Sequence, residues 1–255
     1  MNEQVPATTP GASDGTFNRD GNARPAGAGV EWWTKAWPLF TRQAGMWVAV
    51  AVVTIVIVLV VGIIPALGQL VLFLFSPVIA GGLMLGAREV DRGAELTIGH
   101  IFAGFSNQMG QLVLVGVLYL AGMVVVAVVV GLIAGIGIGT MIGMSGGANP
   151  AAMGAAGASG VLLAVLIALA LMLPLYMAMW FAPALVVFHE LGAVDAMKAS
   201  FAGCLKNVVP FVLYGLVGLV LGIVASIPFG LGWLVLGPVA IASVYVGYRD
   251  IYLAS

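Results

Sequence analysis

Few residues in this chain could do chemistry. Gly143-Met144-Ser145-Gly146-Gly147 fits the G-x-S-x-G turn that exposes a nucleophilic serine. Such a serine needs a base within hydrogen-bond reach, but the charge pattern places His100 and His189 across the bilayer from Ser145. Gly157-Ala158-Ser159-Gly160 is a similar string, as Gly- and Ser-rich runs produce freely, so Ser145 reads as loop. His189-Glu190 opens like a zinc-protease motif, yet Ala193 stands where H-E-x-x-H needs its second ligand. His189, Glu190 and Asp195 could still converge; the simpler reading is a polar helix start, with Glu190 favoured near an N-terminus. His100 follows Thr97, a plausible N-cap, at the interface. The single Cys204 gives neither disulfide nor zinc spacing and reads as a small apolar side chain. No cofactor or metal set is expected.

The elements that would carry these residues are set by composition. Of 255 residues, 62% are hydrophobic and only 7% charged, where soluble domains average about 45–50% and 25%. Mean hydropathy is +1.15. So few charges cannot cover a soluble globule, which excludes a soluble enzyme, a nucleic-acid binder and a disordered chain. The expectation is an all-α integral membrane protein. Residues 1–29 have almost nothing to bury and read as a disordered cytoplasmic tail, and 30–255 as a six-span transmembrane domain. The spans fall near Met46–Ile64, Ala66–Ala87, Gln111–Ile133, Gly160–Phe181, Val209–Ser226 and Gly230–Gly247.

The nine basic residues lie in the tail, the second and fourth loops and the C-terminus; the other loops are uncharged. Short basic loops stay cytoplasmic, so both termini are expected there. No charge falls inside a span. The mid-span polar groups (Thr54, Gln69, Ser76, Tyr119, Tyr176, Ser243, Tyr245) can bond their own helix or a neighbour. Proton- or sodium-coupled transport is disfavoured by that pattern.

An internal repeat organises the chain. Phe102-Ala103-Gly104-Phe105-Ser106-Asn107-Gln108 aligns with Phe201-Ala202-Gly203-Cys204-Leu205-Lys206-Asn207, and Phe40 to Gly45 aligns with Phe105 to Gly110. Pro77 stands eleven residues before Arg88-Glu89, and Pro238 eleven before Arg249-Asp250. Pro174 fills the middle slot. The pattern predicts three modules, about 30–95, 96–188 and 189–255, each an amphipathic interfacial segment followed by a hairpin. The predicted apolar faces are Trp33, Ala36, Trp37 and Phe40, with a kink at Pro38; Ile98, Ile101, Phe102 and Phe105; and Val194, Met197, Phe201 and Leu205.

Two further features suggest roles. Trp32, Trp33 and Trp37 with Lys35 and Arg42 have the chemistry of an interfacial lipid anchor. Gly131, Gly135, Gly139, Gly143 and Gly147 recur every fourth residue, and Gly82 with Gly86 and Gly218 with Gly222 repeat the spacing, which predicts close helix packing or self-association, in the long series up to about Met141 with loop beyond Met144.

Arg24-Pro25-Ala26-Gly27-Ala28-Gly29, Trp33 and Ala36-Trp37-Pro38-Leu39-Phe40 resemble the start of a group of uncharacterised proteobacterial six-helix inner-membrane proteins. Ser243-Val244-Tyr245-Val246-Gly247-Tyr248-Arg249-Asp250-Ile251 is similar to their Ser-x-Tyr-x-x-Tyr-Arg-Asp ending. Their usual Gly-x-x-Trp appears as Gly29-Val30-Glu31-Trp32. The resemblance implies a bacterial inner-membrane location and a six-helix bundle, and brings no known activity. The reading that follows is a non-enzymatic membrane scaffold or lipid-interacting protein, partnered by membrane lipids. The alternative is a passive transporter or channel for a lipid-like or small apolar solute. An intramembrane hydrolase is the third class.

Overall fold

A computed structural model describes residues 16–144 and 150–253, the side chains of 136–156 and of 158 excepted. The chain is all-α, with 83% of it helical. In order come α1 (Ala28–Arg42), α2 (Ala44–Gly62), α3 (Leu67–Asp91), a 3₁₀ turn (Ile98–Phe102), α4 (Ala103–Ser106), α5 (Met109–Met144), α6 (Pro150–Trp180), α7 (Ala182–His189), α8 (Ala193–Lys206), α9 (Val208–Ser226) and α10 (Trp233–Tyr252). Among the described residues, six stretches are long and apolar enough to cross a membrane: Ala44–Gly62, Leu67–Asp91, Met109–Gly135, Ser159–His189, Val208–Ser226 and Trp233–Tyr252. Each overlaps a span read from the sequence. Two of the polar residues inside them bond their own helix: Thr54 Oγ1 donates to the Val50 carbonyl at 2.8 Å, and Ser76 Oγ to that of Phe73 at 3.1 Å.

α3 and α10 form the centre, half buried where the other spans are less than a quarter buried. Both continue past the apolar run, carrying Arg88 and Arg249 in their last turns, where a cation suits the helix C-terminus. Pro77, Pro174 and Pro238 all lie inside helices, Pro77 and Pro238 buried. α6 starts at Pro150, a residue pre-shaped for a first turn, rather than at Gly160 as expected. Gln43, Gln108 and Asn207, the aligned amides of the repeat, each stand where a short helix gives way to a span.

Three expectations are corrected. First, the ordered chain starts well before residue 30: residues 16–27 lie along the C-terminus and α8, although they carry little apolar surface. The expectation for 1–15 lies outside the described residues. Second, most of the large apolar residues grouped on the 3₁₀–α4 segment and on α8 turn outward, although Met197 packs against the core and Phe201 is half-buried. On α8, Val194 and Leu205 are exposed while Ala193, Ala196, Ala199, Ser200, Gly203 and Cys204 are buried. Where lipid is as apolar as leucine, small residues pack and large ones face out. Likewise Ile98, Phe102 and Phe105 are exposed and Ile101 alone of that set is buried. Third, the buried face of α1 holds Trp32, Trp33, Ala36, Leu39 and Phe40 against α9 and α10, and Trp37, expected on that face, is exposed.

Close helix contact is made at Gly82, as its spacing from Gly86 predicted, and at glycines outside the Gly131–Gly147 series. A Cβ at Gly29 would overlap the Pro210 carbonyl, at Gly82 that of His100, and at Gly104 that of Val78. At Gly131 and Gly135 a Cβ would meet nothing within 4 Å. No contact with the described residues therefore depends on their smallness; Gly139 lies outside the described side chains. Self-association through this face is a separate matter.

Ser200 explains how α6 can stop and α7 begin inside the protein. Pro183 at the start of α7 interrupts the ladder. The buried Ser200 hydroxyl accepts from Phe181 N–H at 2.9 Å and donates to the Met177 carbonyl at 2.6 Å. Those two groups would pair with each other in an unbroken helix. One hydroxyl thus satisfies both sides of the break.

Candidate functional site

The ionisable residues gather at one end of the bundle, and the N-terminal strap ties that end together. Asn18 N–H donates to the Tyr252 carbonyl at 2.8 Å, and Asn22 N–H to that of Ile251 at 2.8 Å. Arg24 pairs with Asp250 (Nε–Oδ1 3.2 Å), and Arg19 pairs with Asp195 at 2.7 Å. The fully buried Asn207 is the anchor. Its Oδ1 accepts from Arg24 N–H at 2.8 Å, and its Nδ2 donates to the carbonyls of Asn22 at 2.9 Å and Gly203 at 2.8 Å. Nothing in the sequence marked this residue except its place in the repeat.

Behind the strap lies a continuous chain of rings. Trp33 stacks on Tyr214 (4.8 Å between centroids) and its Nε1 donates to the Tyr214 carbonyl at 3.0 Å. Trp32 packs on Phe211 at 5.2 Å and its Nε1 donates to Asp250 Oδ2 at 2.9 Å. Phe181, Tyr252 and Tyr248 continue the chain to His189, on which Phe17 of the strap stacks at 3.5 Å. Buried indoles keep their N–H bonded, as the cost of orphaning it requires.

Two half-open apolar grooves flank this ring core. One, of about 350 Å³, is lined by Tyr176, Met177, Trp180, Cys204, Phe211 and Gly215 among others. The other, of about 530 Å³, runs from Trp33 and Trp37 along α9 and α10 to Pro228. Exposed apolar residues (Leu173 and Val212 in the first, Val224 and Val235 in the second) carry each groove onto the outer surface of the spans. Burial pushes the Cys204 thiol up to about 12, the hydrogen bond with Ser200 opposing this in part. A thiol held protonated is a packing group, not a nucleophile.

A third, small cavity of about 60 Å³ has a different lining: Arg88, Phe188, His189, Tyr245, Tyr248, Arg249 and Leu253. The two arginines that the proline spacing marked thus meet at one site. Arg249 pairs with Asp91, which also accepts from Tyr245 OH at 3.1 Å. His189 Nε2 and Tyr248 OH share a hydrogen bond. The Arg88 guanidinium lies 4.8 Å above the Phe188 ring.

Of the sequence-marked anchor residues, Trp32 and Trp33 are core, and Trp37 faces out, 52% exposed. Lys35 pairs with Glu31 one turn away at 2.7 Å, and Arg42 donates to the Val90 and Asp91 carbonyls at 3.4 Å. His189, Glu190 and Asp195 turn to separate places. Glu190 ends α7 in the left-handed region (φ 53°) instead of starting a helix, a reversal of its expected role. His100 closes back on Thr97, whose N–H donates to Nδ1 at 3.0 Å. Ser145 lies outside the described residues. Comparison with protein families, curated proteins and solved structures found no significant match.

Proposed function

We propose that this chain is a multi-pass protein of the bacterial inner membrane that works without catalysis, as a lipid-interacting scaffold. Both termini lie on the cytoplasmic side in this reading, since the basic residues gather there. The chain is three modules of interfacial segment and hairpin, and the short helices lie at the headgroup level with their exposed apolar residues, among them Trp37, Phe102, Val194 and Leu205, in lipid. One observation carries the proposal. The two grooves join the outward apolar surface of the spans to the aromatic core beneath the charged end. A phospholipid acyl chain fits that chemistry: apolar along its length, entering from the side, with a charged head left beside basic residues.

The test is native mass spectrometry of the full chain released from phospholipid nanodiscs. Phospholipid should stay bound at near-stoichiometric level through gentle delipidation. Gly215 lines the first groove and a Cβ there meets nothing within 4 Å. Gly215→Phe should therefore fill the groove without disturbing the fold and should reduce the retained lipid. Wild-type protein that emerges bare, or a Gly215→Phe variant that retains as much lipid, would overturn the proposal.

A further inference from the structure

The small cavity between α3, α7 and α10 differs in kind from the grooves. Its lining brings together two guanidinium groups, two phenols and an imidazole. A water needs about 10–15 Å³ of such space, so about 60 Å³ has room for a group several times larger. Arg88 Nε is buried and has no hydrogen-bond partner among the described residues; Glu89 Oε1, at 3.9 Å, is too far to accept from it. An orphaned guanidinium donor costs the fold free energy unless something accepts from that group. The facing acids are already committed in part: Asp91 to Arg249 and Tyr245, and Asp250 to Arg24 and Trp32. Phe17 of the strap stacks on His189, and its backbone pairs with Leu253, so the strap covers two of the lining residues.

We propose that this cavity binds a phosphate group, held by the guanidinium groups of Arg88 and Arg249. A tetrahedral oxyanion matches forked, planar donors of this kind. The phosphate belongs either to a lipid headgroup or to a soluble anion, and the chemistry of recognition is the same. The site stands independently of the lipid grooves, because inorganic phosphate without any lipid tests it.

The full chain, purified in a neutral maltoside detergent, is titrated calorimetrically at constant ionic strength. One arm uses inorganic phosphate and the other a short-chain phosphatidylglycerol. Saturable binding in either arm is expected, weakened roughly tenfold or more by Arg88→Gln and unchanged by Lys198→Gln on exposed α8. Binding in the phosphate arm identifies a soluble anion site; binding in the lipid arm alone identifies a headgroup site. A second measurement on the wild-type chain guards against a variant that misfolds. The ligand that binds should protect Arg88 from phenylglyoxal, read by peptide mass spectrometry, while Arg92 stays modifiable. No binding in both arms would overturn the site. So would equal weakening by Lys198→Gln, or modification of Arg88 unaffected by a ligand that binds. Retention of acyl lipid by Gly215→Phe would count against the grooves and leave this site standing.

Discussion

Removing the Ser200 hydroxyl tests the account of how the fourth span is built. Ser200 is fully buried, and its Oγ stands between Phe181 N–H and the Met177 carbonyl. Ser200→Ala removes both bonds and leaves the amide without a partner, since the Pro183 break holds the two backbone groups apart. The Met177 carbonyl keeps only a weak Cys204 Sγ contact at 3.6 Å. Orphaning a buried donor costs about 1–3 kcal/mol, roughly a five- to 150-fold fall in the folding equilibrium. The lower end applies if the site relaxes as polar contacts between membrane helices do. The assay is reversible unfolding in mixed micelles of increasing dodecyl sulfate content, with Ser200→Thr as a variant that restores the hydroxyl. Hydrogen exchange at Phe181 should rise in parallel. A loss under about 0.5 kcal/mol, with Phe181 still protected, would refute the reasoning. The amide would then have re-formed its own helical bond, and the break would not depend on the serine.

Asn207→Leu should free the strap. Three hydrogen bonds vanish from a fully buried site, so exchange protection at Asn18, Asn22 and Arg24 should fall roughly tenfold or more. Arg19→Ala should leave it nearly unchanged, because that exposed ion pair contributes little. Gly104→Ala drives a methyl into the Val78 carbonyl and should cost about 1–3 kcal/mol by overpacking, whereas Gly131→Ala should cost the monomer nothing; unfolding of the two variants side by side decides. The Cys204 thiol, raised by burial to about 12, stays protonated well above its ordinary value. Alkylation by iodoacetamide should therefore stay slow from pH 7 to 9.5, while denatured protein accelerates over the same range as its thiol ionises near its usual pKa. Rapid modification of folded protein at pH 9 would show that the thiol is exposed.

The six long apolar helices were legible because a helix apolar enough to cross a bilayer is an unbroken apolar run, and that run is in the sequence itself. The side each short helix buries was not. Helical spacing correctly grouped Val194 with Leu205, but it carries no sign: in water the apolar stripe turns inward, whereas here the alanine side of α8 does. Trp33 and Trp37, one turn apart, fall on opposite sides of the burial boundary for a related reason. The neighbours of α1 are α9 and α10, some 180 residues on, and no local pattern names them. The strap was missed because its order rests on hydrogen bonds to distant carbonyls, which leave no apolar signature. Arg88 and Arg249 were within reach: the shared eleven-residue spacing from a proline marked them, and the structure places both around one cavity. Ser200 and Asn207, polar residues on a short amphipathic helix, gave no local sign of being buried.

The most direct test of the lipid-binding account is an experimental density map of the full chain in phospholipid nanodiscs. The account predicts a continuous, elongated density beside Tyr176, Trp180 and Phe211, running from the outer surface of the spans toward the charged end. A groove closed by a second copy of the chain, or filled by its own collapsed side chains, would contradict it.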